Sequence, residues 1–183
     1  MSDTHLIETC LAGETVFDGK LLKVCRDRVR LPDGGEAWRE YIRHPGAVVV
    51  IPVLPDGRLL VERQFRYPVG QVFIEFPAGK IDPGEDLQAC AERELLEETG
   101  YTAASWEYLG LLHPVIGYAN EVIHIYLARD LVAGAAKLDE GEFLEVLPMA
   151  LADLREAFFA GDITDAKTIT CLYWAERKLA GLI

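Results

Sequence analysis

Positive charge is scarce in this chain. Lysine and arginine number 18 against 30 aspartates and glutamates, which leaves a formal net charge of -12. A protein that tracks a nucleic-acid backbone displaces counterions with a basic surface, so this balance argues against broad nucleic-acid binding. A small anionic substrate is compatible with such a balance only where arginines or a bound cation make the potential locally positive. No stretch approaches the roughly 20 apolar residues of a membrane-spanning helix. The opening MSDTHLIETCLAG has no basic region followed by an apolar run, so no secretory leader and a cytoplasmic location are expected. Cysteine is rare: Cys10, Cys25, Cys90 and Cys171 form no C-x-x-C pair and no zinc spacing, the pattern of reduced thiols in a cytosolic protein. No internal repeat or low-complexity tract is present, and no Ser-His-Asp or Cys-His arrangement is legible. His5, His44, His113 and His124 share no clear spacing and read as structural or surface residues, with His113 bordering the loop HPVIGYANE.

What is present suits one well-buried core. The chain has 183 residues, 50% of them hydrophobic, too few for two large domains. Turn signals fall at Asp18-Gly19, Asp33-Gly34-Gly35 and Asp56-Gly57. Leu22 to Arg30 reads as a partly exposed strand and AVVVIPVL, from Ala47, as a buried one. Arg58 to Gln64 reads as the hairpin partner of that buried strand across Asp56-Gly57. Further strands are expected near Phe73–Phe76, Trp106–Leu112, Val122–Ala128 and Phe143–Leu147. Helices are expected at about Asp86–Glu98, Ala150–Phe159 and Asp165–Leu179. Strands, helix, strands, helices is the order of an α+β protein, an α/β/α sandwich with a mixed β-sheet, rather than a doubly wound parallel fold. Residues 1–45 are strand-rich and precede the main core of residues 46–183. They form either a small N-terminal β-rich subdomain or extra strands of one sheet.

The segment Gly79 to Tyr101, GKIDPGEDLQACAERELLEETGY, carries the most information. Pro83-Gly84 breaks what precedes the helix, Glu85 and Asp86 place negative charge at its positive end, and Gly100 sits where a C-terminal cap belongs. Leu87, Ala91 and Leu95 give one apolar face. Glu94, Glu97 and Glu98, at i, i+3 and i+4, bring three carboxylates close together, and Arg93 lies one turn from Glu97. Such a face can simply be solvated, because like charges at this spacing cost only about 0.2–0.5 kcal/mol per pair. It can also hold hard divalent cations, which take oxygen ligands and keep waters and phosphate oxygens as the rest of their shell.

The wider pattern, G-x5-E-x7-R-E-L-x-E-E-x-G-Y, resembles the Nudix box through Gly79, Glu85, Arg93, Glu94, Leu95, Glu97, Glu98 and Gly100. Tyr101 stands where the family usually has an aliphatic residue. The match spans 23 residues. The upstream run VERQFRYPVGQVFIEFPAGKIDPGE and the segment WREYIRHPGAVVV resemble the branch that hydrolyses ADP-ribose and nucleoside diphosphate sugars.

That resemblance implies a loop-helix-loop on the edge of an α/β/α sandwich and Mg²⁺, or Mn²⁺ in its place, as cofactor. It implies metal binding by Glu94, Glu97 and Glu98 and by the backbone oxygen of Ala78. Arg93 would orient the glutamates through a salt bridge with Glu85 or Glu97, and Arg66 would meet the diphosphate. Arg39 and Glu40 match positions that reach the substrate, sometimes across the interface of a homodimer. Trp38 would stack on adenine or pack in a core. In the acidic loop from Asp139 to Glu145, Glu142 is assigned to metal contact and Glu140 to the catalytic base, an order that is reversible. The implied reaction is hydrolysis of a pyrophosphate bond, with ADP-ribose giving AMP and ribose 5-phosphate. The branch usually has a proline where this chain has Ile116, with Pro114 falling two residues earlier, and Tyr118 lies near a tyrosine that marks dinucleoside polyphosphate hydrolases. Such a hydrolase is therefore an alternative, as is a catalytically silent nucleotide-binding protein of the same fold.

Overall fold

The computed structural model describes residues 2–138 and 140–182. The chain gathers into two compact units. One runs through His44 and includes Val115–Glu121; the other holds Pro45–Pro114 and the residues from Val122 onward.

The first unit is an antiparallel meander of β1 (Thr9–Asp18), β2 (Lys23–Arg30) and β3 (Glu36–Arg43). Its two turns fall at the predicted glycines: Gly19 N donates to Leu22 O at 2.9 Å and Leu31 N to Gly35 O at 2.8 Å. Cys25 and Val29 are buried, whereas much of β1 is exposed and dressed with ion pairs such as Arg26–Glu14. The segment Val115–Glu121 is tied to the end of β3 through Ile42 N to Tyr118 O, 2.8 Å, and His44 N to Asn120 Oδ1, 2.8 Å.

The second unit is built around β4 (Ala47–Pro52), which is buried at every position. Counting onward, the strands are β5 (Leu59–Arg66), β6 (Gln71–Glu75), β7 (Ala78–Lys80), β8 (Tyr101–Leu112), β9 (Ile123–Ala133) and β10 (Leu144–Met149). The helices are α1 (Leu87–Glu94), α2 (Leu151–Ala160) and α3 (Ala166–Leu179). One sheet has the order β7-β4-β9-β8, with β4 parallel to β9 and the other pairs antiparallel. The other is the antiparallel trio β10-β5-β6.

The alternation of side chains along β4 sorts the core into two layers. Ala47, Val49 and Ile51 pack with Leu154, Cys171, Leu172 and Ala175 of α2 and α3. Val48 and Val50 pack with Cys90 and Ala91 of α1 and with Leu95 just beyond it. Helices therefore cover both faces, which is why a parallel pair reads as an unbroken apolar run. The result is the expected mixed α+β sandwich.

Two local expectations are corrected. The Asp56-Gly57 turn forms, with Leu54 N bonded to Arg58 O at 2.8 Å, but β5 is not the hairpin partner of β4. A single bridge, Val53 to Leu59, joins the two runs. Both edges of β4 are taken by β7 and β9, so β5 departs to pair with β6 and β10. The helix from Asp86 is also not α-helical to its end. Asp86 caps it through bonds from Gln88 N at 2.9 Å and Ala89 N at 3.2 Å, but Leu95–Thr99 widens into a π-helical turn. The Thr99 hydroxyl donates back to Leu95 O there. Single π turns recur where side chains are re-aimed at functional sites.

Gly100 ends that turn at φ 77°, and a Cβ on it would lie 2.6 Å from Ala136 N and 2.9 Å from Ala135 C. Left-handed backbone and a backbone clash both oppose a side chain. Gly100→Ala is expected to cost roughly 1–3 kcal/mol in urea unfolding; an unchanged midpoint would contradict the packing.

Candidate active site

The site grows from the C-terminal half of α1 and the turn after it. Glu94 and Glu98 are buried and Glu97 is half-buried. Arg93 gathers this cluster. Its Nε and Nη2 reach the two oxygens of Glu85 at 2.8 and 2.9 Å, and its Nη1 reaches Glu94 at 2.8 Å and Glu97 at 3.0 Å. Both of the alternative partners predicted for Arg93 are thus engaged at once. The bidentate bond to Arg93 holds the Glu85 carboxyl down at about 2, far below the usual carboxylate range. Glu98 is fixed from the other side, because Ala78 N on β7 donates to its Oε2 at 2.9 Å. The neighbouring Gly79 leaves room for Glu94: a Cβ there would sit 1.9 Å from the Glu94 carboxylate.

Beneath the helix lies one face of β5. Leu60 packs into the layer of α1, and by alternation Glu62, Gln64 and Arg66 share its side of the strand. Glu62 is 0% exposed, and neither of its oxygens has a hydrogen-bond partner. Gln64 donates from Nε2 to Glu142 at 3.2 Å, while its buried Oε1 has no partner. Arg66 is held in a fork by Glu75, Nε and Nη2 each at 2.8 Å. Glu75 is 2% exposed and also receives Lys167 Nζ from α3, which in turn bonds Asp165 at 3.0 Å.

The electrostatics follow from burial. Burial pushes the Glu98 carboxyl upward, and the charges of Glu62, Glu94 and Glu142 push it further. Glu62 is raised by burial and then by Glu75, and Glu94 by burial against the pull of Arg93. Glu75 behaves oppositely: burial would raise it, but Arg66 and Lys167 bring it below the usual range. The region therefore holds buried carboxylates with too little positive charge. Among the described residues no three acidic, histidine or cysteine side chains stand together as a ready metal cage, and the box glutamates are engaged by Arg93 and the Ala78 amide. The donor set nevertheless fits a hard divalent cation: it is all oxygen, negatively charged, and includes buried acceptors that no donor satisfies.

The remaining sequence candidates are placed as follows. Glu142 is brought to Gln64, while Glu140 stands exposed at the preceding turn. Asp139 lies outside the described residues. Arg39 and Glu40 are on β3 of the first unit, where Arg39 bonds Glu8 through Nε at 2.9 Å and Glu40 sits opposite Arg26. Trp38 is exposed, with the Arg26 guanidinium 5.2 Å from its ring centre, so it is not a core residue. Sequence reasoning missed Glu62, Glu75, Lys167 and Asp165. A signal existed for Asp165, which stands as a capping aspartate at a helix start.

Two family descriptions match the chain. The NUDIX domain covers residues 43–169, and the nucleoside diphosphate sugar hydrolase N-terminal domain covers residues 8–42. The ADP-ribose pyrophosphatase of Bacillus subtilis (strain 168) is 37% identical over 177 residues, 96% of either chain. The methanol dehydrogenase activator of Bacillus methanolicus is 36% identical over 175 residues, 94% of this chain and 95% of that one. Among solved structures, the crystal structure of an ADP compounds hydrolase superposes with a TM-score of 0.86 at 28% identity, covering 96% of this chain and 95% of that one.

Asp165 yields a prediction independent of catalysis. Burial raises its carboxyl, but Lys167 and the bonds from Thr168 outweigh that and bring it below its ordinary value. A carboxyl lowered on folding stabilises fully above its unfolded value of about 3.9 and loses that contribution as pH falls through the folded value. Asp165→Asn keeps a cap acceptor without the charge. It is expected to be less stable than the parent by a gap that is steady near neutrality and closes below about pH 4 in urea unfolding. A gap independent of pH would contradict this.

Proposed function

The chain belongs to the Nudix family of hydrolases, and on that premise we propose that it hydrolyses the pyrophosphate bond of ADP-ribose, or of a related nucleoside diphosphate sugar, in the presence of Mg²⁺. ADP-ribose would give AMP and ribose 5-phosphate. The observation that carries this reading is Glu98, 4% exposed, pinned by the Ala78 amide and raised by burial and three neighbouring carboxylates. Such a group is built for a cation rather than for solvent. The name of the Bacillus subtilis relative supports ADP-ribose as substrate.

Glu94, Glu97, Glu98, Glu142 and the Ala78 carbonyl would hold Mg²⁺. When bound, Mg²⁺ would neutralise the diphosphate and lower the pKa of the attacking water. The protein's own groups do the rest. Arg93 sets the orientation of Glu94 and Glu97. Arg66 has Nε and Nη2 committed to Glu75, which would leave Nη1 to meet a phosphate oxygen. Glu142 is assigned to the cation and Glu140 to the proton of the water, roles that can be exchanged. Arg39 and Glu40 are assigned to the rest of the substrate within a homodimer, on the resemblance of WREYIRHPG to the branch. Residues 1–45 are taken as a β-rich extension and 46–183 as the hydrolase domain. A cytoplasmic location completes the reading; among the described residues no helix is long and apolar enough to cross a membrane.

A panel of ADP-ribose, ADP- and GDP-sugars, diadenosine polyphosphates and nucleoside triphosphates, assayed with Mg²⁺ and then with EDTA, tests the proposal. AMP release from ADP-ribose that EDTA abolishes is expected. Preference for diadenosine polyphosphates would transfer the assignment to the alternative hydrolase, and no turnover of any of them would favour a silent binding protein. Glu98→Gln is expected to lower kcat by roughly 10²–10³-fold. Gly79→Ala displaces Glu94 and is expected to cost about 10²-fold while the chain stays folded by circular dichroism. Full activity in either variant would contradict the assignment.

A further inference from the structure

Glu62 is the least explained side chain in the molecule. It is 0% exposed and neither carboxylate oxygen meets a donor. Two residues along the same face of β5, the Gln64 carbonyl oxygen is also buried without a donor. These three atoms, all acceptors, are the only buried side-chain oxygens or nitrogens lacking a partner among the described residues. The basic groups nearest to Glu62 are already engaged: Arg66 is forked on Glu75, and Lys167 is shared by Glu75 and Asp165. The other charges around it are carboxylates, Glu75 beside it on β6, Glu98 and Glu142. Across β5 its neighbour on β10 is Val146, which packs in the α1 layer and offers no donor.

As an anion, a buried carboxyl beside an unsatisfied amide carbonyl is costly, so it must either keep a proton or be completed by a cation. The pair is aimed at the functional cluster, because the amide nitrogen of the same Gln64 side chain holds Glu142 and the strand face packs toward the turn that carries Glu98. We propose that Glu62 and the Gln64 side-chain carbonyl are ligands of a divalent cation, forming with Glu98 and Glu142 a second, deeper cation position below the Nudix-box glutamates. The assignment rests on the function proposed above. It adds a strand-borne carboxylate that no part of the box motif supplies. Because binding would require Glu62 as the anion, cation binding and local stability are coupled through that residue.

Mn²⁺ titration, followed by the electron paramagnetic resonance of the free ion, tests this on the full chain without any substrate. The parent, Glu62→Gln and Glu98→Gln are compared, and thermal midpoints are measured in EDTA and in saturating Mn²⁺. Glu62→Gln is expected to weaken one bound Mn²⁺ by about 10- to 100-fold. It should match or exceed the parent's midpoint in EDTA and gain less from Mn²⁺. Glu62→Val, which extends the apolar layer, should behave in the same way and guards against an effect peculiar to the amide. Unchanged Mn²⁺ stoichiometry and affinity in both Glu62 variants, with loss in Glu98→Gln, would overturn the Glu62 assignment and leave the proposed function standing. Unchanged binding in all three variants would overturn both. A lower midpoint of both Glu62 variants in EDTA would show that the carboxyl serves the apo fold, and would also overturn the assignment.

Discussion

Buried negative charge between α1 and the face of β5 is the constraint on which the rest of the second unit depends. Taking a carboxylate out of water is costly unless hydrogen bonds or opposite charge compensate. The chain supplies partial compensation at each carboxylate and full compensation at few. Arg93 spans Glu85, Glu94 and Glu97, one backbone amide serves Glu98, and Arg66 with Lys167 satisfies Glu75. Glu62 is left without a hydrogen-bond donor.

The fold is arranged to hold that charge in place. Both faces of β4 are buried between helix layers, and β4 pairs with β7, which presents Ala78 and Gly79 to the helix. The π-helical turn at Leu95–Thr99 sets Glu98 apart from the regular i, i+4 position it would have on a straight helix. Gly79 gives Glu94 room, and Gly100 lets the chain leave the turn directly into β8. Stability spent on strained or repelling groups is characteristic of sites selected for function rather than for packing.

Much of this was legible in the sequence, and the limits have physical causes. The box residues from Gly79 to Gly100 announced a capped acidic helix, and the Asp18-Gly19 and Asp33-Gly34-Gly35 turns gave the meander, because capping and turn chemistry are local. AVVVIP could be read as a buried strand, but its neighbours could not: pairing depends on β9, far along the chain, and the nearby Asp56-Gly57 turn suggested a hairpin that occupied edges forbid. The attachment of Val115–Glu121 to the first unit is likewise non-local. Glu62 was hidden for a different reason. In RLLVERQ a glutamate near the end of a strand looks solvent-facing, and only the layer of α1 above it shows that it is inside. Lys167 and Asp165 bear on Arg66 only through Glu75, a relation no spacing along the chain expresses.

The most direct measurement is a crystal structure of the chain with Mn²⁺ and a non-hydrolysable ADP-ribose analogue, with anomalous scattering used to place the ions. Ion peaks are predicted within coordinating distance of Glu98, with the analogue's diphosphate lying against them and against Arg66. An analogue bound away from the acidic turn, with no anomalous peak at Glu94 or Glu98, would contradict the account.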